Sequence, residues 1–271
     1  MYKKDRLNNG LRVVTNEMPG RQSVSLGIWI KTGGRYESVS NKGISHYLEH
    51  LLFKGSKKYS CRKLKESIEG VGGSLNGFTS EEVTCYLVKL PRQYLYAGLD
   101  ILSDMVINPL LPPAEVEKER TVILEELKMY RDQPQSYVYE LLDELLWPGQ
   151  ILGMSIIGTT ESLHATTKHS LRAYQLSHYT PSNIVVSAAG ALDHNKIVKK
   201  LKAYFSHLEA GALNTFVKAG ESQCRPQFKL LHKETEQTHL ALGFHSFKRD
   251  DPFKYAQGLL HIILGRTMPQ P

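Results

Sequence analysis

The sequence predicts an α+β fold, and three observations carry that reading. Residues 23–32 alternate, with Val24, Leu26, Ile28 and Ile30 on one face, as a half-buried strand does. Residues 42–53 repeat apolar groups at helical spacing, with Ile44, Leu48, Leu51 and Leu52 forming one side. Further segments of both kinds, divided by turn residues, continue to about residue 207.

Each element has a local reason. Residues 7–15 read as a hairpin, because Asn8, Asn9 and Gly10 supply a turn before Leu11, Val13 and Val14. Gly33 and Gly34 break the strand at 23–32. After the helix at 42–53, a second is expected from Ser60 to Glu69, stopped by Gly70, Gly72 and Gly73. Residues 74–90 read as strand–turn–strand, since Thr84, Tyr86 and Val88 alternate with Cys85, Leu87 and Lys89. Residues 94–105 form an amphipathic helix. Pro109, Pro112 and Pro113 interrupt the chain before a carboxylate-rich helix at 114–129. Gln133 and Pro134 close that helix, and 136–146 continue as another. A loop at 149–158, helix starts near Leu163 and Leu171, a buried strand at 183–189 and a helix at 195–205 complete the first domain, residues 1–207.

Residues 208–226 contain Gly, Ala and Ser with little periodicity and read as a linker. Residues 228–231 and 238–247 then read as strands and 252–264 as a helix, the start of a second domain at 227–271. Strand, strand and helix in that order loosely repeat the first domain.

Composition narrows the class. A chain of 271 residues with 41% hydrophobic and 23% charged residues can bury one large core or two smaller ones. The net charge of +7 raises nucleic acid as a partner, but no recognition-helix signature or basic run interleaved with aromatics accompanies it, so no nucleic-acid partner is expected. Three cysteines without a Cys-x-x-Cys pair argue against a disulfide scaffold or a thiolate metal site. The N-terminus lacks the apolar core of a signal peptide, and no stretch reaches membrane-spanning length. The expectation is a cytoplasmic protein with no membrane partner.

The chemistry concentrates at His46, Glu49 and His50. Histidines four apart project from one helix face, so the pair can give two nitrogens to one zinc ion. Glu49 shares that face, where a carboxylate can take a proton from water acidified by a metal. The order His-x-x-Glu-His reverses the commoner zinc-peptidase order. The bland alternative is a solvated helix face with an incidental carboxylate, but the polar groups are gathered opposite an apolar side. A catalytic zinc needs a third ligand. In the helix at 114–129, Glu119 and Glu126 are two turns apart and share a face, whereas Glu125 points about 100° away. Spacing alone leaves that run readable as a charged outer face.

Several stretches together resemble the insulinase/pitrilysin family of zinc peptidases, and within it the group that includes the mitochondrial processing peptidase and small bacterial homologues. They are Gly-Leu-Arg-Val-Val at 10–14, Gly-Gly-Arg-Tyr-Glu at 33–37, the motif with its surroundings at 43–55, Gly-Gly-Ser-Leu-Asn-Gly-Phe-Thr-Ser at 72–80, the run at 119–127 and His-Tyr-Thr-Pro-Ser-Asn at 178–183. The resemblance implies a sheet rich in antiparallel pairs packed by helices, with two domains of like fold facing each other. It makes Glu126 the third ligand beside His46 and His50, and Glu119 a supporting catalytic residue. It also makes residues 74–79 an edge strand to which a peptide or unfolded protein segment adds, with Asn76 holding the substrate backbone. Gly77 stands where the family often has Ala.

The resemblance therefore implies a zinc-dependent metalloendopeptidase. The alternatives are a non-catalytic interaction subunit, against which the complete motif argues, and a fragment that binds zinc but turns over poorly. The chain stops before the family's Arg- and Tyr-bearing second-domain segment. On its own it is expected to be a weak peptidase or none, with an exposed and less stable second part. Activity could return if a complementing chain supplied the missing half, or if two copies paired as a homodimer.

Overall fold

The computed structural model describes residues 2–220, 223–234 and 236–264. Residues 265–271, the end of the expected second domain, lie outside them. Six strands form one mixed sheet: β1 (Tyr2–Arg6), β2 (Arg12–Glu17), β3 (Ser23–Ile30), β4 (Ser74–Thr79), β5 (Thr84–Pro91) and β6 (Ile184–Gly190). Their order is β1-β2-β6-β3-β5-β4, and every neighbouring pair is antiparallel except β2 with β6. The α+β class and the antiparallel-rich sheet are therefore observed.

The helices among the described residues are α1 (Ile44–Leu52), α2 (Cys61–Glu69), α3 (Leu95–Ile107), α4 (Pro113–Asp132), α5 (Pro134–Leu146), α6 (Thr160–Ala165), α7 (Lys168–His178), α8 (His194–Phe205) and α9 (Lys254–Ile263). The core between sheet and helices is built from alternate strand residues, such as Val24, Leu26, Ile28 and Ile30, packed with Leu48, Leu51, Leu99 and Leu102. No helix among the described residues is long and apolar enough to cross a membrane.

Two expectations need correction. The N-terminal hairpin pairs Tyr2–Arg6 with Arg12–Glu17, so the arms begin earlier and the turn is wider than the expected 7–15. β1 is exposed along its whole length and carries no apolar alternation to reveal it. Residues 228–231 and 238–247 are not strands. The second segment does keep a two-residue alternation, with Leu240, Leu242 and Phe244 exposed. Gly243 faces Leu142 and Leu146 of α5, and His245 Nε2 lies 2.9 Å from the Leu146 carbonyl oxygen. A helix has no free backbone row to complete a β-ladder, so extended chain lies there without becoming a strand. Residues 228–264 accordingly carry much exposed apolar surface, including Phe228, Leu259 and Ile263.

Helix α1 enters the core through a buried ionic cap. Glu37 accepts the backbone N–H of Gly43 at 2.9 Å and of Ser45 at 2.8 Å. A carboxylate there satisfies orphan donors and complements the helix dipole. Lys42 Nζ lies 3.4 Å from Glu37 Oε2, with both side chains fully buried, and donates to the Gly34 carbonyl oxygen. Gly43 adopts φ +89°, and a Cβ there would lie 2.2 Å from the Ile157 carbonyl oxygen. Both facts demand glycine. Gly43→Ala is expected to cost at least about 2 kcal/mol of unfolding free energy, read from the shift of a chemical denaturation midpoint.

Glu81, in the turn between β4 and β5, is a half-buried acid near this cap. Burial pushes its carboxyl up to about 7 from 4.5, against the pull of Lys42 and with help from Glu37. The folded group holds a proton that the unfolded one has released, so its contribution is complete below about pH 4.5 and is lost as pH rises through about 7. The stability of the metal-free protein relative to Glu81→Gln is therefore expected to fall between about pH 5 and about pH 8, by on the order of 2 kcal/mol. A pH-independent difference in denaturation free energy would contradict this.

Candidate metal centre

The site forms where α1 crosses α4. Ile44, Ser45, Tyr47, Leu48, Leu51 and Leu52 bury one side of α1, and the Tyr47 hydroxyl donates to the Val116 carbonyl oxygen of α4. That leaves His46, Glu49 and His50 half-buried on the side facing the cleft. On α4, Val116, Glu119, Ile123 and Leu127 form the buried stripe. Glu126, next to Leu127, is carried to the edge of that stripe and faces the histidines.

His46 Nε2 lies 3.8 Å and His50 Nε2 3.6 Å from Glu126 Oε2, and one donor atom from each of the three residues falls within 4.8 Å of the others. These separations are too long for hydrogen bonds. They approach the roughly 3.3 Å between two ligands placed about 2.0–2.1 Å from a tetrahedral ion. Two imidazoles and a carboxylate are a donor set that suits zinc, so these residues fit the ion. Glu125 points outward and pairs with Lys128 at 2.7 Å.

Electrostatics support an ion here. Burial, with His50 beside it, pushes the His46 imidazole down to about 3, so its ring is neutral and keeps a lone pair at neutral pH. Burial also raises the Glu126 carboxyl, while His50 pulls it back. A divalent cation would reverse the burial penalty on the carboxylate.

Glu49 stands one turn from His46 on the same face. Burial raises its carboxyl, and a hydrogen bond from Thr79 Oγ1 at 2.5 Å to Oε2 opposes that rise. Thr79 is the last residue of β4, an edge strand of the sheet. Glu119 is buried behind the cluster: Oε2 lies 3.1 Å from His50 Nδ1 and Oε1 lies 2.6 Å from Lys54 Nζ. Asn76 is on β4 but does not join the cluster, since its exposed side chain alternates to the face opposite Thr79. The cleft beside His46 and Glu126 is lined further by Thr79, Glu81, Glu140 and Asp143.

Thr79 and Lys54 are the polar partners that the sequence did not single out. Both lie within stretches that carry the resemblance, yet their partners are 30 and 65 positions away, so local spacing could not pair them.

Comparison with known proteins bears on the family and the fold. The model of the insulinase family (peptidase family M16) matches residues 12–160, and that of the peptidase M16 inactive domain matches residues 165–271. Similar proteins include an uncharacterized zinc protease of Bacillus subtilis, 38% identical over 272 residues, and one of Streptomyces coelicolor, 36% identical over 274. These alignments cover 99% and 98% of this chain, which spans only 65% and 59% of the two relatives. Among solved structures, a protease from Helicobacter pylori matches with a TM-score of 0.74 at 23% identity, over 82% of this chain and 54% of that one. A periplasmic protease from Escherichia coli matches with a TM-score of 0.73 at 25% identity, over 82% of this chain and 25% of that one. The structural matches share the α+β sheet, and the first family model covers more than half of the sequence: the chain belongs to the insulinase family, peptidase family M16.

Proposed function

We propose that this chain is the zinc-binding part of a metalloendopeptidase that hydrolyses extended peptides or unfolded protein segments. The observation that carries the reading is the convergence of His46, His50 and Glu126 on one point, with Glu49 one helix turn away and bonded to Thr79 of the cleft wall. The zinc protease names of the relatives supply the identity of the metal.

His46 and His50 would bind through their Nε2 atoms and Glu126 through a carboxylate oxygen. Zinc, when bound, supplies a Lewis acid that acidifies water and polarises a carbonyl group. Glu49 is the general base that takes the proton of the attacking water and passes it to the leaving amine. Thr79 fixes the carboxylate so that one oxygen is held and the other remains for the proton. Glu119 orients the His50 ring. The substrate lies along the free edge of β4, where main-chain hydrogen bonds hold a peptide with little regard to its sequence. Asn76, exposed on that strand, is the side chain offered to the substrate backbone.

Glu49→Gln is expected to keep zinc at one equivalent while turnover of an unstructured fluorogenic peptide by the zinc-loaded chain falls at least about 100-fold. His50→Ala is expected to lose metal and turnover together. If Glu49→Gln lost its zinc as well, Glu49 would be a ligand and the division of roles would be wrong.

Thr79→Val removes the hydrogen bond to Glu49 and keeps a β-branched shape. Turnover is expected to fall about tenfold with zinc content unchanged. The measurement is kcat at matched zinc occupancy, and an unchanged kcat would show that Glu49 needs no such support.

A further inference from the structure

We infer that Lys54 is a positioning residue for the metal centre, acting through Glu119 to fix the ring orientation and tautomer of His50. The inference rests on the zinc reading above and extends it to a residue that touches no donor atom of the cluster.

Three observations place Lys54 in this role. Its ammonium lies 2.6 Å from Glu119 Oε1, while the other oxygen of the same carboxylate lies 3.1 Å from His50 Nδ1. The Glu119 side chain is 4% exposed, so it has almost no water to turn to. Lys54 and His50 are its polar partners among the described residues. The carboxylate is thus held at both oxygens, and its plane is set by the lysine. A carboxylate can only accept, so the short contact makes Nδ1 of His50 the protonated nitrogen. The Nε2 lone pair is then free, on the side that faces Glu126 at 3.6 Å.

The neighbouring histidine shows what that chain supplies. His46 Nδ1 is buried and has no hydrogen-bond partner among the described residues. Its tautomer is not fixed from behind, so orientation of the two-ring pair is concentrated in the relay Lys54–Glu119–His50. Without the lysine, Glu119 Oε1 would be buried and unpartnered. The carboxylate would then turn to recover a donor and leave His50 Nδ1.

The backbone holds Lys54 in place for this task. It follows the C-cap of α1, where its N–H donates to the Leu51 carbonyl oxygen at 3.0 Å. Gly55, at φ +131°, then turns the chain away. The lysine is thereby fixed on the end of the helix that carries His50, four residues on. Its charge also suits that helix terminus.

The simpler alternative is that Lys54 only ties α1 to α4. Zinc affinity and the His50 tautomer separate the two. Lys54→Met keeps the apolar stem and removes the charge. It is expected to weaken zinc binding about tenfold, measured by competition with a chromophoric chelator. In the Glu119→Gln background the same change is expected to have no further effect. In the zinc-free protein, long-range proton–nitrogen NMR is expected to show His50 protonated on Nδ1 in the parent and divided between both nitrogens in Lys54→Met. Should Lys54→Met not fold, Lys54→Leu, which likewise offers no donor, is read the same way. Parent affinity in the variant, an equal loss in both backgrounds, or an unchanged tautomer would overturn the inference. A parent chain that binds no zinc would instead defeat the reading on which it rests.

Discussion

Helix α1 is gripped at both ends, and the site follows from that grip. At its start, the fully buried Glu37–Lys42 pair caps the first turn and Gly43 lets the chain pass beneath the Ile157 carbonyl. At its end, Lys54 meets the buried Glu119 of α4. Between them the Tyr47 hydroxyl reaches across to Val116. A nine-residue helix is too short to hold its shape alone. Tertiary packing fixes its rotation, and that rotation decides which way His46, Glu49 and His50 point. The α4 stripe of Val116, Ile123 and Leu127 fixes the second helix in the same manner.

Electrostatics then make the cleft receptive to a cation. Burial keeps the His46 ring neutral and works against charge on Glu49, Glu81, Glu126, Glu140 and Asp143. Acids gathered in a partly dry cleft repel one another and gain from any positive charge that enters. The same cluster therefore resists ionisation when the cleft is empty of cations and favours a divalent ion when one is offered. Thr79 and Lys54 divide the polar support: one holds the proposed base, the other backs the carboxylate behind His50.

What could be read from the sequence depended on range. The helix at 42–53 and the strand at 23–32 announced themselves by period, because one side of each is packed into the core. The facing of His46, Glu49 and His50 followed from helix geometry alone. Glu126 was different: spacing left α4 readable as a charged surface, and only the resemblance to a family chose it over Glu125. The fold places Glu126 inward and Glu125 outward because Leu127 and Ile123 bury the adjacent stripe. Thr79 and Lys54 act across the sheet edge and between helices, contacts that no local pattern encodes. β1 was invisible because an exposed edge strand needs no apolar alternation, and 238–247 misled because alternation records an extended chain, not a ladder partner.

The central claim is that α1 and α4 together form one zinc site through His46, His50 and Glu126. Its most direct test is a zinc titration of the purified chain beside Glu126→Gln and Glu125→Gln, followed by calorimetry. The account predicts one equivalent of tightly bound zinc in the parent, the same in Glu125→Gln, and a loss of at least about tenfold in affinity in Glu126→Gln. Equal binding by Glu126→Gln and the parent, or loss in Glu125→Gln instead, would contradict it.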